Sequence, residues 1–214
     1  MGLLRPLTDG VFEIGQGMGT LNMTPGKNVY GEELLKIEGN EYRIWNPFRS
    51  KVGAAIKKGM KDFKLKEGSK ALYLGAAEGT TISHLSDIVR EKGIIFGVDI
   101  SARSMRKFIY LCEQRGNLVP ILADASQPMT YKEYIDSFSC DALFQYVSQK
   151  NQAEIFLKNA RAYLKREGYG YLSVKARSIN SSERVDKIVE EETAKLENEF
   201  EILQVIDLEP FEKE

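Results

Sequence analysis

Three short stretches of the sequence place small or acidic residues directly after apolar runs. The first is the glycine-rich stretch 75–81, and the other two contain Asp99 and Asp124. Small residues permit a tight turn, and the free amides of a helix that begins there hold an anion such as a carboxylate. An acid about 20 residues further on suits ribose hydroxyls, and Asp124 suits an adenine amino group. In series, the three stretches predict a site for a ligand with carboxylate, ribose and adenine parts.

Each stretch also has a purely structural interpretation. The glycine-rich stretch suits a strand–helix turn without any ligand, Asp99 a helix N-cap, and Asp124 a turn aspartate. Two other chemistries are disfavoured. The chain has no Gly-x-x-x-x-Gly-Lys-Ser/Thr phosphate loop and no Gly-x-Ser-x-Gly elbow, which argues against a nucleoside triphosphatase and an α/β-hydrolase.

The elements that must position these residues follow an alternating pattern. Apolar runs predict strands at 71–74, 94–98, 118–122, 142–147, 169–175 and 200–208. Helical spacing predicts helices at 50–58, 81–89, 102–114, 152–164 and 183–197, with a short helix near 131–134. Such alternation predicts an α/β fold of the Rossmann-like kind, a mostly parallel sheet whose ligands bind at the carboxyl ends of the strands.

The first part of the chain has a different pattern. Short β-like pieces at 10–14, 20–23, 34–37 and 41–43 are separated by glycine and proline. We therefore predict a small β-rich N-terminal domain over residues 1–48, followed by the α/β domain over residues 49–214.

The charge distribution bears on nucleic-acid binding. The net charge of −1 argues against a protein that holds RNA tightly by itself. Basic residues dominate residues 43–70, however, and the candidates for RNA contact are Arg43, Arg49, Lys57 and Lys58. For any single one of these charges, a solvated helix face is the better explanation. Together they favour a basic rim that guides RNA delivered by a partner.

Composition also limits location and metal binding. Cys112 and Cys140 are the only cysteines, and without an export signal we expect reduced thiols in a cytoplasmic protein. His84 is the only histidine, so a metal site is not expected. No apolar run reaches membrane-spanning length, and no membrane association is expected.

Three segments resemble the fibrillarin family. They are Tyr-Arg-Ile-Trp-Asn-Pro-Phe-Arg-Ser-Lys at 42–51, Leu-Tyr-Leu-Gly-Ala-Ala at 72–77 with Gly-Thr-Thr-Ile-Ser-His at 79–84 and Ser-Asp-Ile at 86–88, and Val-Lys-Ala-Arg-Ser-Ile at 174–179. The resemblance implies a methyltransferase dependent on S-adenosylmethionine (SAM) that acts on ribose 2′-hydroxyls of rRNA and tRNA. It also implies a box C/D particle with a Nop-type scaffold protein, a guide RNA, a target RNA and a kink-turn-binding protein.

The resemblance assigns roles to particular residues. It implies that SAM is bound by Gly75, Ala77, Gly79, Thr80, Thr81, Asp99, Ile100, Asp124, Ala125 and Gln149. Lys51 and Lys175 match lysines that favour the alkoxide form of the ribose hydroxyl. His84 matches a family histidine, for which we expect packing and hydrogen bonding rather than catalysis.

The match to the family breaks at three places. Tyr146 stands where the family has a catalytic aspartate, and Glu78 stands where serine is common and would repel the SAM carboxylate unless it points outward. The Asp-His-Ala turn and last strand expected after the Pro-aromatic-x-Lys segment at 210–213 are missing, so strand 200–208 should lack a neighbour.

The breaks leave more than one functional hypothesis. The first is an active guide-dependent 2′-O-methyltransferase, and the second is a catalytically impaired subunit with a role in assembly. A methyltransferase for a small molecule or a protein is a weaker third, against which the match at 43–51 speaks.

Overall fold

The computed structural model describes residues 4–212, and its first part is an antiparallel sheet. The strands are β1 (Leu4–Thr8), β2 (Val11–Ile14), β3 (Gly17–Leu21), β4 (Leu34–Ile37) and β5 (Asn40–Ile44), in the order β1-β2-β3-β5-β4. The four predicted β pieces are confirmed within a few residues. Strand β1 was missed, because Pro6 lies in its centre and proline is tolerated only at a sheet edge, the place that β1 occupies.

The second sheet is parallel throughout. Its strands are β6 (Lys70–Leu74), β7 (Ile94–Asp99), β8 (Leu118–Leu122), β9 (Cys140–Gln145) and β10 (Leu164–Leu172), in the order β10-β9-β6-β7-β8. The chain runs outward from β6 to β8 and then returns to the other side of β6 with β9. The predicted Rossmann-like α/β architecture is confirmed, and the reversal of strand order lies between β6 and β9, where such sheets bind ligands.

Six α-helices connect and cover the strands of the described chain. They are α1 (Lys51–Lys57), α2 (Thr80–Val89), α3 (Ala102–Gln114), α4 (Gln152–Tyr163), α5 (Ala176–Ile179) and α6 (Val185–Leu196). The predicted N-cap of α1 is confirmed, because the Ser50 hydroxyl accepts the Gly53 amide at 3.1 Å. The short helix predicted near 131–134 lies earlier, as a 3₁₀ turn at Pro128–Tyr131, where proline fixes the first φ angle. No helix among residues 4–212 is long and apolar enough to cross a membrane.

The two faces of the parallel sheet belong to two apolar cores. In β6 the side chains of Ala71 and Tyr73 join one core, and those of Leu72 and Leu74 join the other, as alternation along a strand requires. The first core also contains Val11 and Met18 of the antiparallel sheet and Trp45, which directly follows that sheet. These residues pack with residues of α2. The two sheets thus share one core through α2, and the division at 48/49 remains our prediction.

The strand predicted at 200–208 is wrong, since the segment forms no strand in the structure. Leu203 and Val205 are exposed, and the ring of Phe200 packs on the ring of Phe156 in α4 instead. An alternating apolar pattern makes a strand only where a neighbour completes its hydrogen bonds. No strand of the described chain pairs with this segment.

Candidate functional site

The loop between β6 and α2 depends on two glycines. Gly75 and Gly79 have φ angles of +85° and +93°, a region that favours glycine. A Cβ atom on Gly75 would lie 3.0 Å from the carbonyl oxygen of Tyr146, and one on Gly79 would lie 2.5 Å from Leu111 Cδ2. Glycine is therefore required at both positions, and the loop runs close to the end of β9.

The start of α2 is open to an anion. Gly79 occupies the N-cap and provides no side chain for the amides of the first turn, which leaves them available to a ligand. Glu78 does not obstruct this place, because its carboxylate pairs with Lys107 Nζ at 2.6 Å and both side chains are more than half exposed. Glu78 thus points away from the loop, which is the orientation in which it does not repel the SAM carboxylate.

Asp99 ties the loop to the next helix. Its Oδ2 atom accepts the Ala77 amide at 2.7 Å and its Oδ1 atom accepts the Ser101 amide at 2.8 Å. The N-cap of α3 is Ser101 rather than Asp99, so the alternative interpretation of Asp99 as the cap is wrong. Each carboxylate oxygen has a second lone pair for a ribose hydroxyl, and Ile100 is exposed beside it.

Asp124 and Gln149 meet beyond β8 and β9. Asp124 Oδ1 accepts the Ser126 amide at 2.8 Å and the Gln149 Nε2 amide at 3.2 Å, and the hydrogen bond from Ser126 lowers the pKa of the carboxyl below its usual value. Gln149 Oε1 is buried and has no hydrogen-bond donor among the described residues. A buried acceptor without a donor is costly, and an exocyclic amino group such as that of adenine carries N–H donors of the kind that this oxygen lacks. Ala125 is fixed beside them, since its carbonyl accepts from Asn159.

The start of α1 is bonded to the same loop. The Thr81 hydroxyl donates to the Ser50 hydroxyl at 3.0 Å, so the cap of α1 is linked to the first turn of α2. Lys51 follows Ser50 directly, and its Nζ atom lies 2.9 Å from Glu212 Oε1. The backbone of one lysine of the predicted pair is thus one residue away from the residue that bonds to Thr81 of the glycine loop.

The other lysine of the pair, Lys175, follows β10 and is held by a side chain that sequence analysis missed. Gln152, at the first turn of α4, accepts the Lys175 amide at 2.8 Å and donates to the Lys175 carbonyl at 3.2 Å. Gln152 is completely buried, and its own carbonyl accepts from Gln145. Lys175 Nζ donates to Ser148 Oγ at 2.9 Å. The sequence contains no clear signal for this role, because Gln152 stands in a polar stretch with Lys150, Asn151 and Glu154.

Tyr146 lies in an aromatic stack at the same edge. Its ring packs on that of Tyr73, with centroids 5.2 Å apart, and its amide donates to the Leu74 carbonyl. Burial raises the pKa of the Tyr146 hydroxyl well above its usual value. The hydroxyl therefore stays protonated at neutral pH and gives this position no negative charge.

Arg43 was predicted to contact RNA, and this prediction is wrong. The side chain is completely buried, with Nε bonded to Glu32 at 2.6 Å, Nη1 to Asp87 at 2.8 Å and Nη2 to Ser83 at 2.9 Å. A guanidinium enclosed in this way cannot reach a phosphate, and it joins the antiparallel sheet to α2 instead.

The other three basic candidates, Arg49, Lys57 and Lys58, are exposed. The guanidinium of Arg49 lies over the ring of Tyr30, whereas Lys57 and Lys58 donate to backbone carbonyls. RNA contact by these three residues remains a prediction.

His84 has the packing role that was expected. It is completely buried and stacks on Trp45, with ring centroids 4.6 Å apart. Nδ1 lies 2.8 Å from the Thr20 hydroxyl and Nε2 lies 2.7 Å from the Tyr30 hydroxyl. Burial, reinforced by the charges of Arg43 and Arg115, holds the pKa of His84 well below its usual value, so the ring is neutral.

Comparison of the sequence with known proteins shows which family and which relatives the chain is similar to. The model of the family described as fibrillarin matches residues 5–214. A relative from Pyrococcus furiosus, a fibrillarin-like rRNA/tRNA 2′-O-methyltransferase, is 47% identical over 195 residues, which are 91% of this chain and 85% of the relative.

Three solved structures are similar over nearly the whole chain. The Methanococcus jannaschii fibrillarin pre-rRNA processing protein has a TM-score of 0.93 at 41% identity, over 98% of this chain and 93% of its own. Aeropyrum pernix fibrillarin with natively bound SAM has a TM-score of 0.86 at 39% identity, over 94% and 90%. The structure of a fibrillarin/Nop5p complex has a TM-score of 0.88 at 37% identity, over 97% and 95%.

Proposed function

The chain belongs to the fibrillarin family, and on that premise we propose that it is the methyltransferase subunit of a box C/D particle. It transfers the methyl group of SAM to a ribose 2′-hydroxyl of rRNA or tRNA that a guide RNA selects. The observation that carries this proposal is the hydrogen bond between Thr81 and Ser50. That bond holds the helix that begins with Lys51 against the loop that suits the cofactor.

Different residues at the carboxyl ends of the parallel strands bind different parts of SAM. The amides at the start of α2, in Thr80 and Thr81, hold the carboxylate of the methionine part. Asp99 accepts from the ribose hydroxyls, and Asp124 with the donor-free Gln149 Oε1 accepts from the adenine amino group. When bound, SAM supplies an activated methyl group on a good leaving group.

Lys51 and Lys175 act on the RNA. A ribose 2′-hydroxyl is a weak nucleophile, and negative charge develops on its oxygen as its proton passes to solvent water. Ammonium groups near that oxygen stabilise the developing charge, and correct alignment with the methyl group supplies most of the remaining rate. Ser50 positions Lys51, and Gln152 positions the backbone of Lys175.

The particle supplies what this chain lacks for holding RNA. A net charge of −1 provides little affinity for phosphates, so a Nop-type scaffold protein and a kink-turn-binding protein present the guide and target RNA. The fibrillarin/Nop5p complex supports such a scaffold partner. We assign Arg49, Lys57 and Lys58 to the side that faces RNA, and we propose a cytoplasmic location.

A reconstituted particle tests the proposed function. The chain is combined with a Nop-type scaffold, a kink-turn-binding protein and a box C/D guide RNA, and transfer of a labelled methyl group to a complementary RNA is measured. We expect one labelled ribose at the nucleotide that the guide selects. A target with 2′-deoxyribose at that nucleotide should take up no label. Equal labelling of the two targets, or none with either, would contradict the proposal.

The state of Tyr146 favours a second candidate, a catalytically impaired subunit that serves assembly. A protonated tyrosine in an aromatic stack provides no carboxylate near the lysines. In that case Tyr146→Asp should raise methyl transfer at least tenfold, whereas Tyr146→Phe should leave it unchanged. A loss of activity in Tyr146→Asp would instead support the active enzyme with a structural role for the tyrosine.

A further inference from the structure

The last described residues of the chain fold back onto the start of α1. The ring of Phe211 packs edge-on against the ring of Phe48, with centroids 5.0 Å apart. The carbonyl of Glu209 accepts from Lys58 Nζ at 2.8 Å. These two contacts lie on either side of Lys51 in the sequence, and they hold residues 209–212 along α1, from the residues before its start to its C-cap Lys58.

Glu212 is brought to Lys51 by this arrangement. Its Oε1 atom lies 2.9 Å from Lys51 Nζ, and the two side chains are only 25% and 18% exposed. In the ion pair of Lys107 with Glu78, by comparison, both side chains are more than half exposed. Partial burial reduces solvent screening, so the pair between Lys51 and Glu212 is less screened than an ordinary surface pair.

The first turn of α1 contains no acidic residue, so Lys51 has no acid on its own helix within that turn. Position 146, directly after the end of β9, carries a protonated tyrosine. A lysine side chain has a flexible four-carbon stem and needs a fixed partner to hold its ammonium group at one place. Glu212 is a carboxylate in contact with Lys51 that meets this need.

We propose that Glu212 is a positioning residue for Lys51 and provides the orienting carboxylate that position 146 lacks. This inference rests on the proposed function, in which Lys51 faces the ribose oxygen. Phe211 packs the segment on Phe48, and Glu212 then holds the ammonium group of Lys51 at one place beside α1, the helix that Ser50 ties to Thr81. The negative charge thus comes from the far end of the chain rather than from the end of β9.

Kinetics in the reconstituted particle test the proposal. Glu212→Gln keeps the shape and removes the charge, and we expect kcat to fall about tenfold with KM for SAM and target RNA unchanged. Glu212→Asp keeps the charge and should recover a substantial part of kcat. The matched control is Glu209→Gln, which changes an exposed carboxylate of the same segment and leaves its carbonyl contact to Lys58 intact. An unchanged kcat in Glu212→Gln, or an equal loss in the control, would overturn the proposal.

Chemical labelling separates this proposal from the proposed function. Acetylation of Lys51 is followed by mass spectrometry in the whole chain and requires no methyl transfer. We expect Lys51 to react several times faster in Glu212→Gln than in the unchanged chain or in Glu209→Gln. Equal reactivity in all three would refute the positioning contact even if the particle is active. An inactive particle with faster labelling in Glu212→Gln would refute only the proposed function.

Discussion

The hydroxyl groups of Ser50 and Thr81 lie 3.0 Å apart, and the hydrogen bond between them joins α1, which begins with Lys51, to α2, which follows the glycine loop. Ser50 is buried and also caps α1 through the Gly53 amide. The Ser50 side chain therefore fixes both the start of α1 and the position of α1 relative to the glycine loop.

Replacement of Ser50 tests this double role. Ser50→Ala removes the cap and the bond to Thr81, and we expect the free energy of unfolding to fall by about 2 kcal/mol. Ser101→Ala is the matched control, since Ser101 caps α3 through the Ser104 amide, and it should cost about 1 kcal/mol. Urea denaturation of both variants measures the difference. Equal costs would show that the bond to Thr81 contributes nothing to stability.

The buried charges of Arg43 and Asp87 should be strongly coupled to folding. Asp87 pairs with Arg43 at 2.8 Å and with Arg115 at 2.7 Å. Asp87→Asn removes the carboxylate that two buried guanidinium groups share and leaves Arg43 with the carboxylate of Glu32 alone, and we expect a loss of about 3–5 kcal/mol of stability. Breaking the exposed pair of Arg5 and Glu13 with Arg5→Ala should cost less than about 1 kcal/mol. Denaturant titrations of both variants measure these losses. A loss below about 1 kcal/mol for Asp87→Asn would contradict the expected coupling of the buried charges to folding.

His84 should make stability depend on pH in a defined window. Its pKa is lowered in the folded chain, so below the usual value the unfolded chain binds a proton that the folded chain does not. Stability is thus fully retained above about pH 7 and declines by about 1.4 kcal/mol per pH unit as pH falls from about 6.5 toward 5.

Unfolding measured at pH 7.5, 6.5, 5.5 and 5.0 checks this slope. His84 is the only histidine of the chain, so no second imidazole contributes. His84→Asn should be less stable at pH 7.5 but should lose most of the decline between pH 6.5 and 5. A variant with the same slope as the unchanged chain would assign the proton to another group.

Gln152 should affect catalysis through Lys175 without touching the cofactor. Gln152→Met retains the length of the side chain but leaves the amide and carbonyl of Lys175 without these partners. We expect stability to fall by about 1–3 kcal/mol and single-turnover methyl transfer to fall several-fold, with the affinity for SAM unchanged in calorimetry. Gln16→Met, at an exposed position, is the control. A fall in SAM affinity as large as the fall in methyl transfer would show that Gln152 supports the whole cofactor site rather than Lys175.

The sequence alone was enough to predict most of the alternating elements and the places of Asp99 and Asp124 at the ends of strands, whereas their binding roles stay a prediction. Residues 71–99 contain an apolar run, a glycine-rich turn, a helical stretch and a second apolar run that ends in Asp99, and each of these features acts over a few neighbouring residues. Loop conformation at Gly75 and Gly79 is local in the same way, because backbone φ angles are restricted by the side chain of the residue itself. The positions of Asp99 and Asp124 follow from strand ends in a parallel sheet.

Only the tertiary structure decided which charges are buried and which segments find a partner. Arg43 lies in a basic stretch of sequence, yet Glu32 and Asp87 enclose it, and Asp87 is 44 residues away. Residues 200–208 have a strand pattern, but no strand within residues 4–212 lies beside them to complete a ladder. Glu212 reaches Lys51 from the other end of the chain because Phe211 packs on Phe48. Burial and pairing depend on residues far apart in sequence, so they are determined when the elements pack and not by the spacing of residues within any one of them.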